Sequence, residues 1–183
     1  TMALPDLLRK AREASTAKDY ARAITFYQEA LSRDAVNPDA LQGLQEARQA
    51  LARQQEENLR NEKFLKDYLY SVKSFKEQDY AEALRVAWRL IYPDDTLARQ
   101  LGKREAVREI IRNGYYNWAV LDLRQDNLLG ADKNLQDLLD FDRSDTEAAK
   151  LRQFVKKYAG RPPDENYRDA VRNLTYRTLT ENP

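Results

Sequence analysis

Three hexapeptides, "DYARAI" (19–24), "DYAEAL" (79–84) and "NYRDAV" (166–171), repeat one pattern: Asp or Asn, Tyr, two variable residues, Ala, then Ile, Leu or Val. The first opens "KDYARAITFYQEAL" (18–31), where Tyr20, Ala23, Ile24, Tyr27, Ala30 and Leu31 recur at the spacing of one helix face. "QDYAEALRVAWRLI" (78–91) reads as a second copy, and "DNLLGA" (126–131) as a weaker one with Leu128 in place of the tyrosine. Each copy follows another helical stretch. The unit is therefore a helix, a tight turn and a second helix, which dictates an all-α chain.

The breaks between these stretches are few. They are Asn37-Pro38, Tyr92-Pro93, Gly102, Gly114, Gly130 and Gly160-Arg161-Pro162-Pro163. Pro38 and Pro93 suit helix starts, with Asn37 as N-cap of the first. Apolar residues recur at three and four rather than two, and Ala, Leu, Glu, Gln, Lys and Arg dominate. Between Pro38 and Asp79 there is no further proline and no glycine after Gly43. That stretch reads as one helix of about 40 residues or as two with a break. Its middle, "ARQQEENLRNE" (52–62), has almost no apolar face, so it is expected to be helical and solvent-exposed. Residues 94–125 read as a short helix, a break at Gly102 and a longer helix.

The alanines explain the pairing. Antiparallel helices joined by a short turn approach closely only where side chains are small. Ala23, Ala83, Ala131 and Ala170 are expected to meet Ala11, Ser71, Ala119 and the helix within 145–159. The recurring tyrosine is expected to plug the turn with its hydroxyl at the edge.

This pattern resembles the tetratricopeptide repeat family. "AREASTAKDYARAITFYQEALSRDAVNPDA" (11–40) follows it most closely. In the third copy Tyr115, Trp118 and Ala119 take the family's first-helix places. In the second, Tyr70 and Ser71 take the large and small ones, and in the fourth Tyr167, Ala170, Val171 and Leu174 lie on the second helix. The spacing departs from the family. Tyr20, Tyr80, Leu128 and Tyr167 are separated by 60, 48 and 39 residues, against a period of about 34. The resemblance thus implies an irregular helical-hairpin array, an α-solenoid with extended connecting helices, over residues 1–183 as a single domain. "TENP" (180–183) stands where "AVNP" precedes the next helix of the first copy, and Thr1 precedes Met2, so a piece of a longer chain is expected.

The resemblance implies a scaffold, bacterial in style, that binds a protein or peptide segment along the first helices of its pairs. The matching positions are Tyr68, Val72 and Phe75 in the second copy and Tyr116, Val120 and Leu123 in the third. The same stripes, read as helical periodicity alone, are core. The carboxylate clamp that some members use for chaperone C-termini has Leu8 and Arg12 at its places and lacks the Lys-then-Asn pattern, so that partner is not expected. Arg104, Arg108 and Arg112 lie four apart on one face of "KREAVREIIR" (103–112). They are either a basic strip for a phosphoanion or nucleic acid, or a solvated face paired with Glu105 and Glu109. Trp88 and Trp118 sit at repeat positions and are expected in the core.

Composition narrows the function further. There is no histidine and no cysteine, which removes the commonest general base, the commonest zinc ligand and every thiolate. With five glycines, neither phosphate-binding loop motif occurs. The chain is therefore read as a non-enzyme without metal or cofactor. Lys and Arg total 31 against 30 Asp and Glu, so there is no global attraction to nucleic acid. No apolar run reaches the roughly 20 residues of a membrane span. The visible sequence favours the cytoplasm, or the periplasm if a leader has been removed. Self-assembly through the array ends is the alternative to a foreign partner.

Overall fold

Asp and Asn side chains cap six of the helix starts among the described residues. Asn37 caps its helix by accepting from the Ala40 N–H at 2.9 Å, Asn127 from Gly130, Asp145 from Ala148 and Asp164 from Tyr167, all at 2.8–3.0 Å. Asp19 and Asp79 accept from Arg22 and Glu82 at 3.3 Å. The computed structural model describes residues 1–180 and shows nine helices and no strand among them. They are α1 (Leu4–Thr16), α2 (Tyr20–Arg33), α3 (Pro38–Lys76), α4 (Tyr80–Ile91), α5 (Thr96–Gln100), α6 (Arg104–Arg124), α7 (Leu128–Phe141), α8 (Thr146–Tyr158) and α9 (Glu165–Arg172).

The turns α1–α2, α3–α4 and α6–α7 share one backbone design. Lys18, Gln78 and Asp126 adopt left-handed φ of 61°, 63° and 56°. The N-cap that follows each donates its N–H back five residues, to the carbonyls of Ala14, Ser74 and Asp122, at 2.8–2.9 Å. The three copies are thus alike at the level of main-chain hydrogen bonds, although only two carry the Asp-Tyr pair.

The chain divides into two compact units, Thr1–Arg60 and Asn61–Pro183. In the first, α1 packs on α2, and the start of α3 adds Ala40, Leu44 and Ala47 to a core with Leu7, Ala11, Ala23 and Tyr27. Ala11 and Ala23 are both fully buried, as close helix approach requires. Gly43 lets the Tyr27 ring sit against the helix, since a Cβ there would lie 2.3 Å from Cζ.

In the second unit α4 packs on α6, α6 on α7, α7 on α8, and α9 returns to α6. Ser71 and Ala83 meet as expected, with the Ser71 hydroxyl donating to the Ala83 carbonyl at 2.8 Å. Ala119 and Ala131 are both fully buried in one cluster. Trp88 and Trp118 are half-buried against the neighbouring cluster, Trp88 donating its Nε1–H to Tyr115 Oη at 3.0 Å. Tyr167 is buried, and its hydroxyl reaches the Leu123 carbonyl at 3.1 Å instead of solvent.

Three local expectations change. Pro93 does not start a helix. Asp94 accepts from both the N–H and the hydroxyl of Thr96, and this side-chain turn delays the helix to Thr96. Leu174 is not on the fourth copy's second helix. α9 ends at Arg172, and Leu174 lies in an extended segment, so its match to the helical spacing was coincidental. Ala170 is half-buried rather than a tight contact. The long stretch is one unbroken helix, and none of 52–62 is buried. Most of "TENP" lies outside the described residues.

Candidate groove along helix α6

The six residues assigned from the family pattern to an open groove are all buried. Tyr68, Val72 and Phe75 are 2–5% exposed, and Tyr116, Val120 and Leu123 are 0–4% exposed. The first three share a cluster with Tyr80, Ala83, Leu84 and Val107, against which Leu179 packs. The other three share a cluster with Leu135, Leu151 and Tyr167, against which Leu174 and Tyr176 pack. They are core because helices pack over them and because residues 174–180 of the same chain lie along the face they would have opened to solvent.

Residues 174–180 run antiparallel to α6, whose polar side chains reach mostly their main-chain groups. From Glu109 through Asn113 and Asn117 to Arg124, the helix presents one stripe of polar side chains at spacings of four, four and seven. The Arg124 guanidinium donates to the Leu174 carbonyl at 2.7 Å. Asn117 takes both main-chain groups of one residue: its Nδ2 donates to the Arg177 carbonyl at 2.9 Å, and its Oδ1 accepts the Arg177 N–H at 2.7 Å. Asn113 Nδ2 donates to the Thr178 carbonyl at 3.2 Å. Glu109 accepts from the Thr180 N–H and, at 2.7 Å, from its hydroxyl. Fifteen helical residues span about 22 Å and six extended ones about 20–22 Å, so the two runs match in length.

One side chain of the segment is recognised in detail. Arg177 forms a fork with Asp145, Nη1 to Oδ2 and Nη2 to Oδ1, both at 2.8 Å. Its Nε donates to Glu147 at 2.9 Å, and its guanidinium carbon lies 4.0 Å from the centre of the Tyr116 ring. Burial works against the charge on Asp145. Hydrogen bonds from Arg177 and from the Ala148 N–H outweigh it, and its carboxyl is held below its ordinary range. Burial likewise pushes the Tyr116 hydroxyl up to about 12, so it stays neutral. Asp145 is also the N-cap of α8, which fixes its carboxylate independently of Arg177.

Two clefts border the segment. One, of about 430 Å³, lies among Phe75, Tyr80, Arg177 and Leu179. The other, of about 400 Å³, lies among Tyr116, Leu151, Phe154 and Leu174.

The arginine strip is engaged elsewhere. Arg104 bonds Asp95 at 2.7 Å and Glu105 at 3.1 Å, Arg108 lies 4.3 Å over the Phe141 ring, and Arg112 faces Asp142 at 3.9 Å. Glu109, the other expected partner, is turned to Thr180. Each guanidinium has its own neighbour, and the three do not converge on one ligand. Among the described residues no group of acidic side chains could hold a metal ion, and no helix is long and apolar enough to cross a membrane.

Sequence reasoning missed Asn113, Asn117, Asp145, Glu147 and Arg177. A signal was present: asparagine is disfavoured inside helices, and two stand four apart in the middle of α6. Asn117 is only 1% exposed, so its amide needs partners that the helix cannot supply.

Compared with known proteins, the chain matches no family model, no curated protein and no solved structure.

Proposed function

We propose that this chain is a tetratricopeptide-like scaffold for protein–protein interaction that holds an extended peptide segment along α6. The observation that carries this reading is the Asn117 amide, buried and matched to both main-chain groups of one extended residue. Such pairing grips a strand regardless of its sequence, as a sheet edge does. Asn113, Arg124 and Glu109 extend it over seven residues. The three like turns and the helix-contact pairs Ala11–Ala23, Ser71–Ala83 and Ala119–Ala131 support the repeat architecture.

The test is a library of extended heptapeptides screened against the full chain carrying Arg177→Ala, which loosens the resident segment. Peptides retained by this variant and lost when Asn117→Ala is added support the reading. Ligands indifferent to Asn117 would overturn it.

A further inference from the structure

The groove treats residues 174–180 as a ligand, and two features of that contact name its chemistry. Most polar contacts from α6 reach main-chain atoms, at Leu174, Arg177, Thr178 and Thr180, and therefore select extended backbone of any sequence. The Thr180 hydroxyl also reaches Glu109, but Arg177 is the side chain held by most partners. Its guanidinium meets Asp145, Glu147 and, at 3.4 Å, Asn113, and it stacks on Tyr116. A planar fork facing a carboxylate, with an aromatic ring beneath, is a pocket for arginine rather than lysine. Apolar side chains flank it: Tyr176 lies 6.4 Å from the Tyr80 ring, and Leu174 and Leu179 pack on the two core clusters.

The pocket's walls also have contacts outside its occupant. Asp145 is held by its capping bond to Ala148, and Asn113, Asn117 and Tyr116 sit on α6, which packs against α4 and α7. The occupant, by contrast, has no regular structure of its own, and Thr175, Thr178 and Thr180 are exposed. The clefts of about 430 and 400 Å³ on its two flanks leave space beside Leu179 and Leu174 for larger apolar groups. The resident segment fills the arginine pocket well and the flanking apolar sites incompletely.

We propose that residues 174–180 are an internal stand-in, and that the groove's external ligand is an extended segment of another protein with an arginine flanked by apolar residues three before and two after it. This rests on the reading of α6 as a peptide groove and adds both the ligand's chemistry and its regulation. A tethered segment competes at an effective concentration in the millimolar range. An external segment is then weakened by the fraction of time the groove is closed, and partners that also fill the flanking clefts displace the stand-in.

The experiment uses the 183-residue chain and a fluorescein-labelled peptide of sequence LTYRTLT, followed by anisotropy, with versions carrying Lys or Ala at the arginine. Arg177→Ala should bind the Arg probe at least about 10-fold more tightly than the wild-type chain, whose groove is occupied. The Lys probe should bind about 10-fold more weakly than the Arg probe, and the Ala probe more weakly still. Adding Asn117→Ala should weaken binding of every probe by roughly 5–150-fold. Equal binding by wild type and Arg177→Ala would overturn the stand-in while leaving the groove intact. Equal binding of Arg and Lys probes would overturn the arginine pocket. No binding of any probe by any variant would remove the groove reading itself. An Arg177→Ala chain that fails to fold would make the segment part of the fold and overturn the proposal; Arg177→Lys, which keeps the charge, would then show whether folding needs the fork. A wild-type mass by light scattering that doubles with concentration, and returns to monomer in Asn117→Ala, would assign the groove to a second copy instead.

Discussion

Asn117→Ala separates a segment that docks from a segment that belongs to the core. The substitution removes two hydrogen bonds and leaves the Arg177 N–H and C=O facing an apolar wall. A hydrogen bond contributes about 0.5–1.5 kcal/mol net, and an unsatisfied buried group costs about 1–3 kcal/mol. Two groups would cost several kcal/mol if they had to stay buried. They do not, because the segment can lift into water, so the loss is limited to its own opening free energy. At about 1.4 kcal/mol per tenfold, the two lost bonds, about 1–3 kcal/mol together, correspond to a roughly 5–150-fold larger open population. The reporter is the Thr180 amide, which bonds Glu109 and does not touch Asn117. In hydrogen exchange it should accelerate together with the Arg177 amide, while the α6 amides of residues 119–123 hold their protection. If Thr180 is unchanged, the contacts are independent and the segment does not dock as a unit. If the α6 amides accelerate to the same degree, the segment is core.

Gly43→Ala should destabilise the first unit although alanine favours a helix by about 1 kcal/mol. Its Cβ would press on the buried Tyr27 ring, at a cost of about 1–3 kcal/mol, and the sign should reverse in a Tyr27→Ala background when the two melts are compared. Ala83→Leu should lower the melting temperature by several degrees for a similar overpacking cost, whereas Ala81→Leu on the exposed side of α4 should not. Gln78→Gly should stabilise by about 0.5–1 kcal/mol in a urea melt, because relief of the left-handed backbone exceeds the entropy cost of glycine. The Asp145 carboxyl is depressed in the folded chain, so the contribution of its pair with Arg177 is complete above about pH 4 and disappears as pH falls through that lower value. Thr178 methyl shifts should therefore report release only in strong acid, and release beginning near pH 6 would refute the assignment to Asp145.

The helices, their caps and the close pairs were legible because each has a local cause. Asp19, Asn37 and Asp79 announce helix starts by chemistry, and Ala23 and Ala83 announce contact by size. The αL turns were half legible. Tyr20 and Tyr80 marked two, while the third, at Asp126, was marked only by Asn127 and Ala131, with Leu128 in place of the tyrosine. The expected groove positions on α3 and α6 are core residues, since a buried stripe and a binding stripe share one periodicity. What distinguishes them lies about 60 residues away in sequence, in the pairing of Asn117 with Arg177. Leu174 fitted a helix by spacing, while the threonines at 175, 178 and 180 carried the competing extended preference.

The antiparallel fit of a strand on a helix behaves as a vernier between two rulers. One extended residue advances about 3.4 Å, and one step of four on the helix about 6 Å. A slip of one residue turns every side chain to the opposite side. A slip of two nearly matches one step and restores the facing. Main-chain contacts through Asn113 and Asn117 alone would therefore accept several registers two residues apart. The arginine pocket at Asp145 breaks this degeneracy, because only one register brings the guanidinium onto Tyr116.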